Sequence, residues 1–348
     1  MKIAVFGWYG HENAGDERIK FCINHFLTVL GGIDRVDFFD LHENAIKGKT
    51  NQFDHYDLVI IGGGGLIFSQ SNYHDFIYGI DTKIVTAGIS VETALKGNPK
   101  KFAVSLLEKS LVVLVRDSDS AQKLSLLDCK NKVKVSSDLT FLESYPTVEL
   151  KNDNFLGINF LPKPRDFKYS TLVAPWMSFI LEQCSRFGMK NILRTVNFET
   201  IINELKNKFH LLPIPLYCAK QQNNLPVYQK NDVEFLKLYY QDVPSSFSDS
   251  LIDKCSAFLS MRLHGSIFAV QKGVPVVSFP YLPKNRSFMT AVGLGDFVVD
   301  SINPQEVLYV VEDSINNQKL VREKMESFKE EASKKIKKDF IEILNHIK

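Results

Sequence analysis

The chain has 348 residues, 45% of them hydrophobic and 24% charged, and its 42 Lys and Arg balance 40 Asp and Glu to a formal charge of +2. This composition is typical of a globular enzyme and excludes wholesale disorder, while the near-neutral charge argues against a general nucleic-acid binder. A chain of this length usually forms more than one hydrophobic core, so we expect two domains.

The cysteines and apolar segments bear on the cellular compartment. The five cysteines are odd in number, widely spaced and without a C-x-x-C pair, which favours reduced thiols over disulfides or a zinc site. The apolar segment Met1–Gly7 is too short for a signal peptide, and Leu58–Phe68 falls short of the roughly 18 residues that span a bilayer. We therefore expect a soluble, cytoplasmic protein that uses no metal.

Short β-rich runs alternate with helical patterns up to about residue 140, which predicts a mostly parallel sheet covered by helices. Apolar residues from Ile19 to Leu30 recur at three- and four-residue spacing, and Gly31 and Gly32 follow them. This pattern predicts an amphipathic helix. The predicted strands are Ile3–Phe6, Val36–Phe39, Leu58–Ile61, Ile84–Ala87, Leu111–Val115 and Val133–Val135.

A second alternating series follows the polar segment near Leu150–Asn154, and Asn303-Pro304 then predicts the start of the C-terminal helices. The fold class we predict is α/β, with two Rossmann-like doubly wound domains (1–150 and 151–302) facing a cleft, and C-terminal helices in 303–348. The Lys-rich stretch 334–338 is interpreted as a solvated helix face in preference to a contact with an anionic membrane. Predicted strands of this series are Phe155–Phe160, Ile192–Thr195, Leu211–Leu216, Ala257–Leu259 and Val274–Phe279, with helices at Ala174–Phe187 and Phe198–Lys208.

The most informative stretch is 260–283, where an apolar strand ends in a turn that carries Arg262 and His264, and a short helix runs to Gly273. A helix N-terminus at such a turn favours anions, Arg262 adds a cationic fork, and His264 can exchange a proton near neutral pH. The turn therefore predicts a site for a small acidic molecule beside a proton donor. The alternative is an arginine paired with a carboxylate and a histidine that caps the helix.

Three further segments could line a site. The turn Gly7–Glu17 lacks both the dinucleotide fingerprint and a P-loop. Its glycines would let the backbone approach a ligand closely, and its acidic residues could accept hydrogen bonds from sugar hydroxyls. Alternatively, Asn13 or Asp16 merely caps a helix. Gly62–Gly65 follows a strand and could admit a ligand or form an anion nest, or instead pack tightly against a helix. Around Arg116 we favour a structural role, with Asp117 or Ser118 as a helix cap and the arginine in an ion pair.

At these residues the sequence resembles the polysaccharide pyruvyl transferase family. The resemblance implies a glycosyltransferase-B-like fold and the transfer of pyruvyl from phosphoenolpyruvate to two hydroxyls of a sugar as a cyclic ketal, with release of phosphate and without a cofactor, in surface polysaccharide biosynthesis. The matching motifs are Asn13-x-Gly15-Asp16-Glu17, the run from Asp57 to Gly65, Arg116-Asp117 with Ser120, Arg262-Leu263-His264 followed by Gly273-Val274-Pro275, and Tyr281-x-x-Lys284.

The resemblance also implies roles for individual residues. His264 is the expected general acid, and either Asp16 or Glu17, or His264 in reverse, the base; Arg262 is expected to be catalytic as well. The donor is expected to bind Arg262, His264, Gly265, Ser266 and Lys284, with Arg286 a less favoured cation and Arg165 or Arg194 as a further arginine. Tyr281, Lys284 and Arg286 are expected in the loop that follows the predicted strand Val274–Phe279. The acceptor is expected to be a lipid-linked oligosaccharide or polysaccharide precursor, and the residues expected to bind it are Tyr9, Asn13, Asp16, Glu17, Gly64 and Gly65. No nucleic-acid partner is expected, and membrane contact is expected to be at most peripheral, at the inner face. Asn223 and Asn224 stand where relatives are expected to have an acidic residue.

Two other functions compete. A glycosyltransferase with a nucleotide-sugar donor usually grips that donor with a carboxylate in the second domain, and the absence of Asp and Glu between Arg262 and Asp296 counts against it. A non-catalytic sugar-binding protein on the same fold is the other alternative, and the intact Arg262, His264 and Lys284 count against it.

Overall fold

The computed structural model describes residues 1–127, 133–149, 154–161, 196–219, 231–279, 283–300 and 303–345. The chain divides into two compact units: unit 1 contains Met1–Ser144 and Lys329–Lys348, and unit 2 contains Tyr145–Phe328. Each unit holds one parallel sheet with helices, and a long helix lies at the C-terminal end. The predicted α/β class is therefore confirmed.

The sheet of unit 1 has six strands in the order β2-β1-β3-β4-β5-β6, and every neighbouring pair is parallel. All six predicted strands are present, although β3 and β4 continue several residues further than predicted. Central strands buried on both faces explain the uninterrupted apolar runs in this part of the sequence. The strands are β1 Lys2–Gly7, β2 Arg35–Asp40, β3 Leu58–Ile67, β4 Ile84–Val91, β5 Ser110–Val115 and β6 Val133–Val135.

The helices of unit 1 cover this sheet. The predicted amphipathic helix is confirmed as α1, Ala14–His25, which continues as a π-helical turn, Phe26–Leu30, and ends at Gly31. Its apolar stripe is buried up to Leu27, whereas Leu30 is 64% exposed. The other helices are α2 Leu41–Lys47, α3 His74–Tyr78, α4 Gly97–Lys109 and α5 Ser118–Ser125, with 3-10 turns at Asn51–Phe53 and Leu139–Leu142.

The described part of unit 2 has a parallel sheet in the order β10-β9-β7-β8. The predicted strand Ile192–Thr195 and helix Ala174–Phe187 lie outside the described residues. The strands are β7 Phe155–Asn159, β8 His210–Pro213, β9 Ala257–Ser260 and β10 Val276–Ser278, and the helices are α6 Val196–Lys206, α7 Asp232–Leu236, α8 Asp249–Ile252, α9 Leu263–Lys272 and α10 Pro283–Ala291.

The C-terminal segment forms two helices, α11 Pro304–Asn316 and α12 Gln318–Asn345. Asn303 caps α11 as predicted, because its side chain accepts a hydrogen bond from the Gln305 amide at 3.0 Å. Helix α12 belongs to both units: Phe328 packs on Phe288 of unit 2, and Phe340 packs on Phe26 of unit 1. None of the helices within the described ranges combines the length and apolar character needed to cross a bilayer.

Candidate active site

In unit 2, the carboxyl ends of three neighbouring strands carry polar side chains. Asn159 ends β7, Ser260 ends β9 and Ser278 ends β10, and these residues are register partners across the sheet. Ligands of open parallel sheets bind beyond the carboxyl ends of the strands. We call these three strand ends, with the starts of α7, α9 and α10, the unit 2 edge.

Arg262 is the N-cap residue of α9, and its backbone is held on both sides. Its amide donates to Asn159 Oδ1 at 3.2 Å, and its carbonyl accepts from Ser260 Oγ at 2.9 Å. The same carbonyl accepts from the amides of Gly265 and Ser266 at 3.1 and 3.3 Å. Those two amides therefore begin the hydrogen bonding of the helix itself, which limits what they can offer a ligand.

The Arg262 guanidinium forms a two-pronged ion pair with Asp232. Nε donates to Oδ2 at 2.7 Å and Nη2 donates to Oδ1 at 2.5 Å. The Arg262 side chain is 19% exposed and the Asp232 side chain is fully buried. The alternative interpretation of Arg262, a pair with a carboxylate, is thus what the structure contains. A guanidinium has five N–H donors, so this pair does not by itself exhaust the group.

Asp232 also corrects the inference drawn from the lack of acidic residues after Arg262. A carboxylate does lie at this turn, but it comes from 30 positions earlier in the chain. Its Oδ2 atom also accepts from Asn159 Nδ2 at 3.0 Å and from the amides of Leu216 and Tyr217 at 2.9 and 3.1 Å. Because Asp232 is buried and engaged in this way, it is poorly suited to gripping sugar hydroxyls.

His264 lies in the first turn of α9 and is half-buried. Its Nε2 atom is enclosed, and its ring stacks on that of Phe268 with centroids 6.0 Å apart. Gly265 next to it is explained by packing, since a Cβ there would collide with Ser260 Oγ and lie 2.8 Å from Leu216 Cδ1. Arg262 and His264 are thus brought to the unit 2 edge on one turn, as predicted from their spacing.

Helix α10 supplies the other predicted cations. Lys284 and Arg286 were expected in a loop, but both lie on this helix, which begins at Pro283. Asn285 Nδ2 donates to the Met261 carbonyl at 2.8 Å, which fixes the start of α10 beside the end of β9. Lys284 is half-buried there, whereas Arg286 is exposed and pairs with Asp300. Tyr281, Arg165, Arg194, Asn223 and Asn224 lie outside the described residues.

Three buried oxygens add hydrogen-bonding capacity to the unit 2 edge. Ser266 Oγ, Ser278 Oγ and Asn285 Oδ1 have no hydrogen-bond partner among the described residues. Buried polar atoms usually have one. Of these residues, the sequence singled out Ser266 alone.

In unit 1, the turn between β1 and α1 is fixed by its own side chains. Asn13 caps α1 by accepting from the Gly15 amide at 3.1 Å, so the capping interpretation holds for Asn13. Glu17 Oε1 accepts from the Gly10 amide at 2.6 Å, and the buried Tyr9 hydroxyl donates to the Gly62 carbonyl at 2.7 Å. Burial, and then the carboxylates of Asp16 and Glu17, raise the pKa of Tyr9 well above its usual value.

The four glycines lie inside β3, so the prediction that the strand ends at Ile61 is wrong. Gly63 and Gly64 have φ angles of +86° and +83°, which favour glycine. A Cβ at Gly64 would lie 2.8 Å from Asp16 Oδ1, and a Cβ at Gly65 would collide with Glu92. The glycines therefore make room for two carboxylates, of which the sequence indicated Asp16 but not Glu92. We call Gly64, Gly65, Asp16, Glu17 and Glu92 the unit 1 edge.

The structural role favoured for Arg116 is confirmed. Its guanidinium donates to Asp138 Oδ2 at 3.2 Å and to Ser90 Oγ at 2.6 Å, and Asp117 caps α5 by accepting from the Ser120 amide at 2.7 Å. Although burial lowers it, the pKa of Arg116 is raised overall because the Asp138, Asp117 and Glu92 carboxylates surround the group.

Within the described ranges, no group of three or more His, Cys, Asp or Glu side chains is arranged to hold a metal ion. Cys22, Cys218 and Cys255 are buried, and none of them forms a disulfide with another described residue. Cys129 and Cys184 lie outside the described residues.

The chain therefore contains two parallel α/β units, and in one of them an arginine and a histidine lie at the carboxyl ends of the strands, where proteins of this architecture bind ligands. The family model for polysaccharide pyruvyl transferase matches residues 13–283. The chain belongs to this family, whose members are transferases of polysaccharide biosynthesis.

Solved structures give a more distant likeness. An uncharacterised protein of Klebsiella pneumoniae is 14% identical with a TM-score of 0.41, over 86% of this chain and 92% of that one. UDP-GlcNAc 2-epimerase of Methanocaldococcus jannaschii is 12% identical with a TM-score of 0.49, over 91% of this chain and 93% of that one. Structural similarity at this level gives no information about function. No curated protein matches the sequence significantly.

Proposed function

We propose that the protein transfers the pyruvyl group of phosphoenolpyruvate to two hydroxyls of one sugar, forming a cyclic ketal and releasing phosphate. Besides family membership, the observation that carries this proposal is that Arg262 and His264 lie on one turn at the start of α9. This turn offers a cationic group and a proton donor to a small anionic donor molecule.

The unit 2 edge is the proposed donor site. Phosphoenolpyruvate carries a phosphate and a carboxylate, which suit Arg262, Lys284 and the start of α9. The uncommitted hydroxyl of Ser266 is a further candidate donor to an anionic oxygen. Gly265 would contribute by allowing α9 to approach β9 closely rather than by touching the ligand.

The proposed chemistry needs one acid and one base. His264 donates a proton to C3 of phosphoenolpyruvate while the first sugar hydroxyl adds to C2 and gives up its own proton to the base. The second hydroxyl then attacks C2 as phosphate leaves with the bonding electrons. The proton of this hydroxyl returns His264 to the acid form, and the proton held by the base passes to the departing phosphate. As written, the reaction consumes one donor and one diol and requires neither a cofactor nor a metal.

The unit 1 edge is the proposed acceptor site. Carboxylates accept hydrogen bonds from sugar hydroxyls, and Asp16 and Glu17 lie at the first turn of α1. Gly64 leaves room for the Asp16 carboxylate, and Gly65 leaves room for that of Glu92. Asp16 is the proposed base, with His264 in reversed role as the alternative. Tyr9 and Asn13 would act indirectly, because the Tyr9 hydroxyl donates to the Gly62 carbonyl and Asn13 Oδ1 caps α1 by accepting from the Gly15 amide. We propose a lipid-linked precursor of a surface polysaccharide as acceptor, met at the inner face of the membrane.

Phosphate release tests this function directly. The wild type should release phosphate from phosphoenolpyruvate with at least one acceptor from a panel of lipid-linked and synthetic glycosides. His264→Ala should lower kcat by a factor of about 10²–10⁴, the usual contribution of a general acid. The matched control is His210→Ala, an exposed histidine at the start of β8 that should leave turnover unchanged.

The competing functions predict other results. A wild type that ignores phosphoenolpyruvate but transfers from a nucleotide sugar would be a glycosyltransferase. Binding of glycans without turnover of either donor would indicate a non-catalytic sugar-binding protein. Unchanged turnover in His264→Ala would remove this residue from the mechanism.

A further inference from the structure

Asp232 is the most heavily hydrogen-bonded carboxylate of the unit 2 edge. It is fully buried, and its two oxygens accept from Arg262, from Asn159 and from two backbone amides. We infer that Asp232 is a positioning residue, which holds the Arg262 guanidinium in the orientation that binds the anionic groups of the donor. Because this inference rests on the proposed function, its test must separate the two.

The constraints on Arg262 come from several directions. Asp232 fixes the Nε–Nη2 edge of the guanidinium, and the Tyr217 ring lies 5.4 Å from its Cζ atom, within range of a cation–π contact. Asn159 fixes the backbone amide of the same residue and also donates to Asp232. An arginine side chain loses much conformational freedom when it binds a ligand, and orientation in advance reduces that loss. Asp232 thus acts on the donor through Arg262.

The two oxygens of Asp232 have different partners, which makes a selective variant possible. Oδ2 accepts from Asn159, from the Leu216 and Tyr217 amides and from Arg262 Nε, whereas Oδ1 accepts from Arg262 Nη2. In Asp232→Asn, the remaining carbonyl oxygen can take the Oδ2 position. The new NH₂ group then faces Arg262 Nη2, and because both groups are hydrogen-bond donors they cannot bond to each other. The bonds to the backbone amides and to Arg262 Nε persist, whereas the Nη2 bond and the negative charge that holds the guanidinium are lost.

The experiment is calorimetric titration of the full chain with phosphoenolpyruvate, together with phosphate release. Asp232→Asn should raise Kd and KM for phosphoenolpyruvate by about tenfold or more and leave KM for the acceptor unchanged. In an Arg262→Gln background, adding Asp232→Asn should change Kd by less than twofold, because the residue acts through the arginine. The matched control is Asp253→Asn, which breaks the pair with Lys272 elsewhere in unit 2 and should leave Kd unchanged.

A second variant keeps the inference testable if Asp232→Asn fails to fold. Tyr217→Leu removes the ring beside the guanidinium and leaves Asp232 in place, so Kd for phosphoenolpyruvate should rise about two- to fivefold. If Asp232→Asn folds and its Kd equals that of the wild type, the positioning role is overturned. If Asp232→Asn does not fold, an unchanged Kd in Tyr217→Leu overturns it. In that case, a loss of binding in Arg262→Gln would leave the proposed function standing. A wild type that does not bind phosphoenolpyruvate would overturn the proposed function and the inference with it.

Discussion

Glu12 has the most unusual backbone among the described residues. It is the one non-glycine residue in those ranges with a positive φ, +52°, and its side chain is exposed. The turn around it is fixed, because the Gly10 amide bonds to Glu17 and His11 Nε2 lies 2.8 Å from Asp40 Oδ2. The neighbouring contacts therefore hold Glu12 in a conformation that glycine adopts more easily.

Glu12→Gly should raise the free energy of unfolding. A left-handed non-glycine residue costs roughly 1–2 kcal/mol, and the greater entropy of glycine in the unfolded chain offsets about 0.5–1 kcal/mol. A net gain of about 0–1.5 kcal/mol is expected in urea unfolding. Glu12→Ala is the control, since it removes the carboxylate but keeps the strain; an equal gain there would show that charge, not backbone, is responsible.

At the scale of the residue, local sequence patterns predict which neighbouring side chains lie together, but they do not predict contacts between residues that are far apart in the chain. Arg262 and His264 belong to one turn, so their shared position follows from a few residues of sequence. Asp232 is separated from Arg262 by 30 positions, and Glu92 reaches Gly65 from a different strand end. Nothing in the single sequence encodes those contacts, because they depend on how the strands are ordered in the sheet.

At the scale of the element, the start of α1 combines a structural and a proposed binding role. Asn13 caps the helix, and Asp16 and Glu17 follow in its first turn, where carboxylates also favour the helix dipole. The cap fixes where α1 begins. It therefore fixes the position of both carboxylates relative to β3.

Substitutions of Asn13 can separate these roles. Asn13→Ala should lower the free energy of unfolding by about 1 kcal/mol, because the Gly15 amide loses its acceptor. Asn13→Asp keeps an acceptor and should retain wild-type stability in thermal unfolding. If Asn13→Asp nevertheless raises KM for the acceptor, the amide group contacts the sugar; equal destabilisation by both variants would contradict the capping role.

Elements defined by tertiary pairing were the hardest to bound from sequence. Glycine has low strand propensity, so the pattern placed the end of β3 before Gly62. The strand instead continues by pairing with β4, in which Gly62 faces Ala87 and Gly64 faces Ile89. The cap at Asn303 follows from adjacent residues of the sequence. Pro283 instead starts a helix that carries Lys284 and Arg286, although the sequence pattern predicts a loop there.

At the scale of the whole molecule, the two sheets are built by the N-terminal and central parts of the chain, and α12 contributes to both units. Its later residues cover the α1 side of unit 1. Phe340 is fully buried against Phe26, and Lys134 and Ser136 of the β6 region bond to Glu342 and Asp339. The sequence predicted the helical character of this segment, but which unit it would cover depends on packing.

Phe340→Ala should destabilise unit 1 selectively. Truncating a fully buried phenylalanine costs about 3–5 kcal/mol, so amides of β1 to β6 should exchange hydrogen faster while those of β7 to β10 keep their wild-type rates. The control is Ile341→Ala, whose side chain is 54% exposed and should change stability by less than about 0.5 kcal/mol. Equal acceleration in both units would contradict the assignment of this part of α12 to unit 1.

The return of α12 to unit 1 has a consequence for biosynthesis. The ribosome completes Met1–Ser144 well before it makes Lys329–Lys348. At about 5–20 residues per second, the interval is roughly 10–40 seconds. During this time the nascent unit lacks the segment that packs on Phe26, so the apolar surface that this segment covers stays exposed. Unit 1 is therefore the first unit to be synthesised and the last to complete its core.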